Sequence, residues 1–163
     1  MILLLNGAFG IGKTTLARLL KQRLPHSVIY DPELLGMTMQ RALRLVGVRV
    51  DDFQDLWLWR RLTIVALRVA RLTSLHVIVP MAISNRDYLR ELQRIGLIHV
   101  CLVAPVEEVH ARLRARGAAS EWEFRRAAEC CDVHRGEEFA MHVAADSSPD
   151  QIADELLQLI TGT

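Results

Sequence analysis

Lysine is nearly missing from this chain: of its 20 basic residues only Lys13 and Lys21 are lysines, the rest being arginine. Cysteine is scarce as well. Cys101, Cys130 and Cys131 are odd in number and two are adjacent, which excludes a disulfide framework and points to a reducing cytoplasm. No sign of charge is in excess; a net charge of +1 gives no ground for a nucleic-acid or acidic partner. The six histidines lack metal-ligand spacing, and Cys130-Cys131 with His134 reads as helix packing rather than a zinc site. There is no internal repeat, low-complexity segment or linker, so residues 1–163 read as one domain.

Long apolar runs are also lacking. The run Met1-Ile2-Leu3-Leu4-Leu5 is too short for the core of a signal peptide and has no basic flank, so it reads as a buried strand. Residues 56–72 (LWLWRRLTIVALRVARL) invite a membrane reading, but Arg60, Arg61, Arg68 and Arg71 exclude a spanning segment. An amphipathic helix with arginines at its solvated edge fits them, with peripheral association with a membrane surface as the alternative.

What is present is Gly7-Ala8-Phe9-Gly10-Ile11-Gly12-Lys13-Thr14-Thr15, a full match to G-x-x-x-x-G-K-[ST], preceded by a strand pattern and followed by an amphipathic stretch at 16–24. Each residue type has a reason. Glycines let successive N–H groups close around an anion, and the helix starting near Lys13 aims its unpaired amides and positive dipole end at the same point. Lys13 reaches the β- and γ-phosphates and the Thr14 hydroxyl ligates Mg²⁺. A composition biased to arginine still places lysine here, where a slim ammonium fits between phosphates and a planar fork does not.

Downstream, strands and helices alternate. Residues 27–30 read as a strand ending at Asp31-Pro32-Glu33, where Asp31 is an N-cap, or acts with Mg²⁺ or as a base at the ligand-bearing edge of a parallel sheet. A helix over 33–46 is broken by Gly36 and closes at Gly47; Asp51 or Asp52 caps the long helix through residue 72. Trp57 and Trp59, two apart, fall on different helix faces, one for the core and one for a cleft. The strand at 75–79 ends in Pro80-Met81 with no acidic residue, so Asp31 takes over that work. A helix follows at 84–95 with Ser84 or Asn85 near its start, then a strand at 97–103 and a helix from Pro105 to Gly117 that ends in Arg112, Arg114 and Arg116. Those arginines either complement the helix dipole or meet a nucleotide. Residues 117–138 are a charged, helical stretch and a candidate lid, 139–144 a weak strand, and 146–149 cap a last helix. The pattern is α/β: a three-layer P-loop NTPase domain with a sheet flanked by helices.

Several segments together resemble the tunicamycin-resistance ATP-binding proteins: Asn6 to Thr14, Tyr30-Asp31-Pro32-Glu33 with Gly36, Asp51-Asp52-Phe53-Gln54 followed by Leu58-Trp59-Arg60, and Ile78-Val79-Pro80-Met81. The resemblance implies a nucleoside-monophosphate-kinase-like fold with five parallel strands in the order 2-3-1-4-5, binding of ATP and Mg²⁺, and a link to resistance against a nucleoside antibiotic. The wider group of shikimate, gluconate and chloramphenicol kinases implies roles by position. Asp31 would be the base or a second-shell Mg²⁺ ligand, Arg112 and Arg116 would meet adenine and phosphates, and the loop 145–149 would pass the adenine.

The expected activity is a small-molecule kinase using ATP and Mg²⁺: Gly7 to Thr15 with Arg112 and Arg116 hold the nucleotide, Lys13 and Asp31 are catalytic, and Glu33, Trp57, Arg60 and Met81 join Asp31 around the acceptor hydroxyl. Two alternatives stand beside it. One is an ATP-binding protein that sequesters an amphiphilic antibiotic without phosphorylating it, and the other a switch-like NTPase with a protein partner.

Overall fold

The computed structural model describes residues 1–45, 47, 53–117, 119–139 and 141–161. Five strands form one parallel sheet: β1 (Ile2–Gly7), β2 (Ser27–Ile29), β3 (His76–Pro80), β4 (Ile98–Val103) and β5 (His142–Ala144), in the spatial order β2-β3-β1-β4-β5. The expected strand order is the observed one. Among the described residues there are seven α-helices: α1 (Lys13–Arg23), α2 (Pro32–Leu45), α3 (Trp57–Thr73), α4 (Arg86–Gln93), α5 (Val106–Ala115), α6 (Glu121–Val133) and α7 (Pro149–Thr161).

The three-layer build follows from β1. Because successive side chains leave a strand on opposite faces, a continuous apolar run serves two cores at once. Leu3 and Leu5 pack with Leu16 and Leu20 of α1, Val109 and Leu113 of α5 and Leu156 of α7. Ile2 and Leu4 pack on the other face with Trp59 and Leu67 of α3 and Tyr88, Leu89 and Leu92 of α4. Every residue of β1 is buried, which explains why the run carries no polar alternation.

Several helix starts are capped by short polar side chains. The Asp31 carboxylate accepts the Glu33 N–H at 3.0 Å, so it caps α2 with Pro32 as the first helical residue. Asn85 accepts the Tyr88 N–H at 3.0 Å. Ser120 with Glu123 forms a capping box at α6, and Ser148 with Gln151 exchanges the same pair of bonds at α7.

Three expectations are corrected. Gly36 does not break α2, which runs unbroken through it; the glycine is buried there, and packing outweighs the roughly 1 kcal/mol that glycine costs inside a helix. The long helix starts later than expected, at Trp57, after a single 3-10 turn at Phe53–Asp55; the proposed caps Asp51 and Asp52 lie outside the described residues. Phe139 is not in the last strand but closes a 3-10 turn (Glu137–Phe139), where its ring fills the core beside His99 and His134.

His99 and His134 are 8% and 1% exposed, and burial pushes both imidazoles down from 6.5 to about 4. Between those values the unfolded chain takes up protons that the folded chain refuses. Stability therefore falls as pH drops from about 6.5 towards 4, by up to about 1.4 kcal/mol per pH unit for each histidine, and these groups add no pH dependence above that window. Urea midpoints at about pH 7.5 and pH 5 test this. A large drop at the lower pH, smaller in a His99→Gln variant, is expected; equal midpoints would sink it.

Candidate functional site

The loop between β1 and α1 needs glycine for two separate reasons. At Gly10 (φ +86°) an added Cβ would lie 2.7 Å from Leu113 Cγ, so the loop's close approach to α5 leaves no room for a side chain. At Gly12 (φ +111°) space is open but the backbone is left-handed, and this residue is the cap from which α1 starts. The first N–H groups of α1 have no acceptor within the helix and point into the loop.

Lys13 is 8% exposed, and its ammonium donates to the Gly7 and Ala8 carbonyls at 2.8 and 3.0 Å. Burial pushes its pKa below the ordinary lysine value, while the nearby carboxylates of Glu33 and Asp31 pull the other way. Its Nζ also lies 5.5 Å from the centre of the Phe9 ring, and Trp122 of α6 meets the same ring edge-on at 5.6 Å. Ala127, Cys130 and Cys131 of α6 share a core cluster with Ala8 and Ile11 of the loop. The candidate lid segment is thus a packed layer beside the loop as well as a charged surface.

A cavity of about 310 Å³ opens against the loop, lined by Gly10, Gly12, Thr15, Arg112, Arg116, Ala145, Ser147 and Pro149 among others. Arg112 spans it, donating to Ile11 O at 3.1 Å and Ala145 O at 2.5 Å. The sequence reading put Arg112, Arg116 and the loop 145–149 around one ligand, and the structure brings them together on one cavity. These residues fit a nucleotide: an open glycine cradle at a helix start, a buried ammonium, and two guanidinium groups able to stack or fork. Thr14 is exposed in the first turn of α1, where its hydroxyl is accessible for Mg²⁺. A second cavity of about 400 Å³ shares Ile11 and Leu102 with the first, is bordered by Ala8 of the glycine loop and reaches His134, Arg135, His142 and Asp146.

The opposite side of the loop is built around the segment that leaves β3. The Asn6 Oδ1 accepts both the Gly7 and Ile83 N–H groups at 2.8 Å, and its Nδ2 donates to Ile83 O at 3.1 Å. Glu33 Oε1 accepts the Ala82 N–H at 2.7 Å, and Gln54 Nε2 donates to Ala82 O at 2.7 Å. His134 Nε2 donates to Ile83 O at 2.6 Å, and Arg126 to Ser84 Oγ at 2.8 Å. Glu33, in the first turn of α2, thus has its carboxylate tied to the segment that leaves β3. Asn6 and Gln54 were quoted in the sequence only as parts of a resemblance, and His134 only as packing; their signal was a polar residue inside an apolar context.

The other expected acceptor residues divide. Arg60 is half-buried, donating from Nε to the Gln54 carbonyl and lying 5.4 Å from the Tyr88 ring centre. Met81 is fully buried in the core and so does not line a cleft. Trp57 is 67% exposed with the Arg61 guanidinium over its ring, whereas Trp59 is fully buried and donates to Pro32 O at 3.0 Å. The two-face expectation holds, with Trp59 in the core, but the outward ring of Trp57 faces solvent beside Arg61.

No protein-family model matches the chain, and no curated protein sequence matches it. Among solved structures, the chain is similar to the Deinococcus radiodurans tunicamycin resistance protein, with 29% identity, 98% of this chain and 94% of that chain covered, and a TM-score of 0.78. It is similar to a gluconokinase from Sinorhizobium meliloti 1021 (20% identity, 98% and 90% covered, TM-score 0.69) and to shikimate kinase from Acinetobacter baumannii in complex with shikimate (21%, 99% and 93%, TM-score 0.60). The two kinases show the fold alone. Together these likenesses are consistent with the resemblance carried by the residues of the first half and extend it along almost the whole chain: the fold is that of P-loop small-molecule kinases.

Asn6 holds three buried backbone groups, so Asn6→Ala should cost about 3 kcal/mol or more in chemical denaturation and weaken ATP binding, because Gly7 opens the phosphate loop. A loss below about 1 kcal/mol would show that those groups find other partners.

Proposed function

We propose that this protein is an ATP- and Mg²⁺-dependent phosphotransferase acting on a hydroxyl of a small molecule, with a nucleoside antibiotic of the tunicamycin type as the acceptor class. One observation carries the reading: Glu33, capped by Asp31 just after β2, accepts the Ala82 N–H, and Asn6, which opens the glycine loop, accepts the Ile83 N–H, so adjacent residues of one segment tie the acidic turn to the loop that holds Lys13. This supports reading Asp31 as a base for an acceptor hydroxyl and Lys13 as a cation for a transferred phosphoryl. The likeness to the Deinococcus radiodurans tunicamycin resistance protein supports the acceptor class.

ATP, when bound, supplies the phosphoryl group, and Mg²⁺ offsets its charge. The chain's own residues do the rest. The amides at the start of α1 and the Lys13 ammonium hold and stabilise phosphate charge, at a place where burial keeps water away and strengthens the interaction. Thr14 offers a hydroxyl to the metal ion. Arg112 and Arg116 orient the nucleotide from the far side of the cavity. Asp31 takes the acceptor's proton at a carboxylate oxygen, and its bond to the Glu33 N–H fixes the direction in which that carboxylate faces. Glu33 and Arg60 line the acceptor side.

The test is mass spectrometry of tunicamycin incubated with the protein, ATP and Mg²⁺. The expected result is a gain of one phosphoryl mass, absent with Asp31→Asn and reduced at least about a hundredfold in rate with Lys13→Ala, while circular dichroism shows both variants folded. Drug retained without a mass change would replace the reading with sequestration. Unchanged turnover in Lys13→Ala would overturn it.

A further inference from the structure

Helix α3 is apolar on two opposite faces. Trp59, Thr63 and Leu67 form the buried side against the sheet. Leu58, Leu62, Val65, Val69 and Leu72 are 51%, 42%, 56%, 54% and 84% exposed. Their spacing of four, three, four and three residues keeps them within one stripe on the side away from the sheet, about 21 Å long at 1.5 Å per residue. Single exposed leucines are ordinary. A continuous stripe along four turns is not, and it marks a surface that meets something other than water.

Charge decides what that is. Between Asp55 and Asp87 the sequence holds no acidic residue and five arginines: Arg60, Arg61, Arg68, Arg71 and Arg86. Three are engaged within the molecule. Arg60 donates to the Gln54 carbonyl, Arg71 to Ile95 O, and Arg86 pairs with Glu138. Arg61 and Arg68 are exposed and border the apolar stripe on one side, and the two-thirds exposed Trp57 ring sits on the same border under Arg61. A second copy of α3 laid on the stripe would add more arginines, with no carboxylate on either helix to offset them. An anionic lipid surface supplies both requirements together, acyl chains for the stripe and headgroup charge for the arginines.

We infer that the outer face of α3 docks on an anionic membrane surface, the helix lying in the plane of the interface with Trp57 at headgroup level. No helix among the described residues is long and apolar enough to cross a membrane, so this is surface attachment. It stands apart from the phosphotransfer reading, since none of the stripe residues belongs to the site.

Flotation of the full-length protein with vesicles tests it. The protein should float with phosphatidylcholine vesicles containing phosphatidylserine and not with phosphatidylcholine alone, and raised salt should release it. Arg61→Gln and Arg68→Gln should each weaken partition about fivefold. Val65→Gln with Val69→Gln should abolish it while leaving ATP binding unchanged, since both positions are on the surface. Failure to float with either vesicle would overturn the inference. So would a concentration-dependent dimer in sedimentation that the same double substitution dissolves, which would assign the stripe to a second copy.

Discussion

The site depends on how the backbone between β3 and α4 is satisfied. Met81 to Ser84 leaves the sheet in a buried position, where each N–H and C=O must find a partner or cost stability. The partners come from side chains far apart in sequence: Asn6 at the end of β1, Glu33 in the first turn of α2, Gln54 in the 3-10 turn and His134 just after α6, while Arg126 of α6 holds the Ser84 hydroxyl. One segment thereby fixes the mutual placement of the phosphate loop, the acidic turn after β2 and the helix that covers the loop. Satisfying a few peptide groups and assembling the site are the same act here.

That arrangement also explains the environment of Lys13. The α6 layer, held to Ile83 and Ser84, brings Trp122 onto Phe9 and Cys130 and Cys131 into the core beside Ala8. Lysine in such a place is disfavoured as a cation, and burial pushes its pKa down while Glu33 and Asp31 oppose the shift. A negatively charged phosphate would act in the same sense as those carboxylates and at the loop itself. A buried ammonium whose hydrogen bonds go to the Gly7 and Ala8 carbonyls is poised to gain from an anion, which a solvated surface lysine is not.

Much of this was legible in the residues. The glycine loop announced itself because its chemistry tolerates few substitutes, and the strand order followed from the same resemblance. The Asp31-Pro32 cap and the arginines facing the cavity beside the glycine loop were readable because each lies within a few residues of a boundary that glycine or proline marks. Met81 and Gly36 were misread for a shared reason. Their placement depends on what packs against them from distant segments: a residue at the carboxyl edge of a strand can face the cleft or the core, and a glycine in a helix can break it or be buried. The roles of Asn6, Gln54 and His134 were invisible for the complementary reason, since a buried amide or imidazole bridging two backbones has no local pattern. Glu33 was placed near the acceptor, but that its carboxylate would hold the Ala82 N–H required the fold.

The two faces of α3 bring the separate findings into one argument. On its inner side Trp59 donates to the carbonyl of Pro32, in the turn that carries Asp31 and Glu33, and Arg60 reaches back to Gln54, which holds Ala82. The helix is therefore a wall tied to the acidic turn and to the segment after β3. An ordinary wall would present polar residues outward, and this one presents an arginine-bordered apolar stripe. The inner face explains why the helix packs on the sheet beside the acidic turn. It gives no reason for Leu62, Val65 or Val69 to be apolar, because none of them touches what the inner face holds in place. The outer stripe therefore requires its own explanation, and the arginine border with no acidic residue on the helix makes that explanation electrostatic as well as hydrophobic.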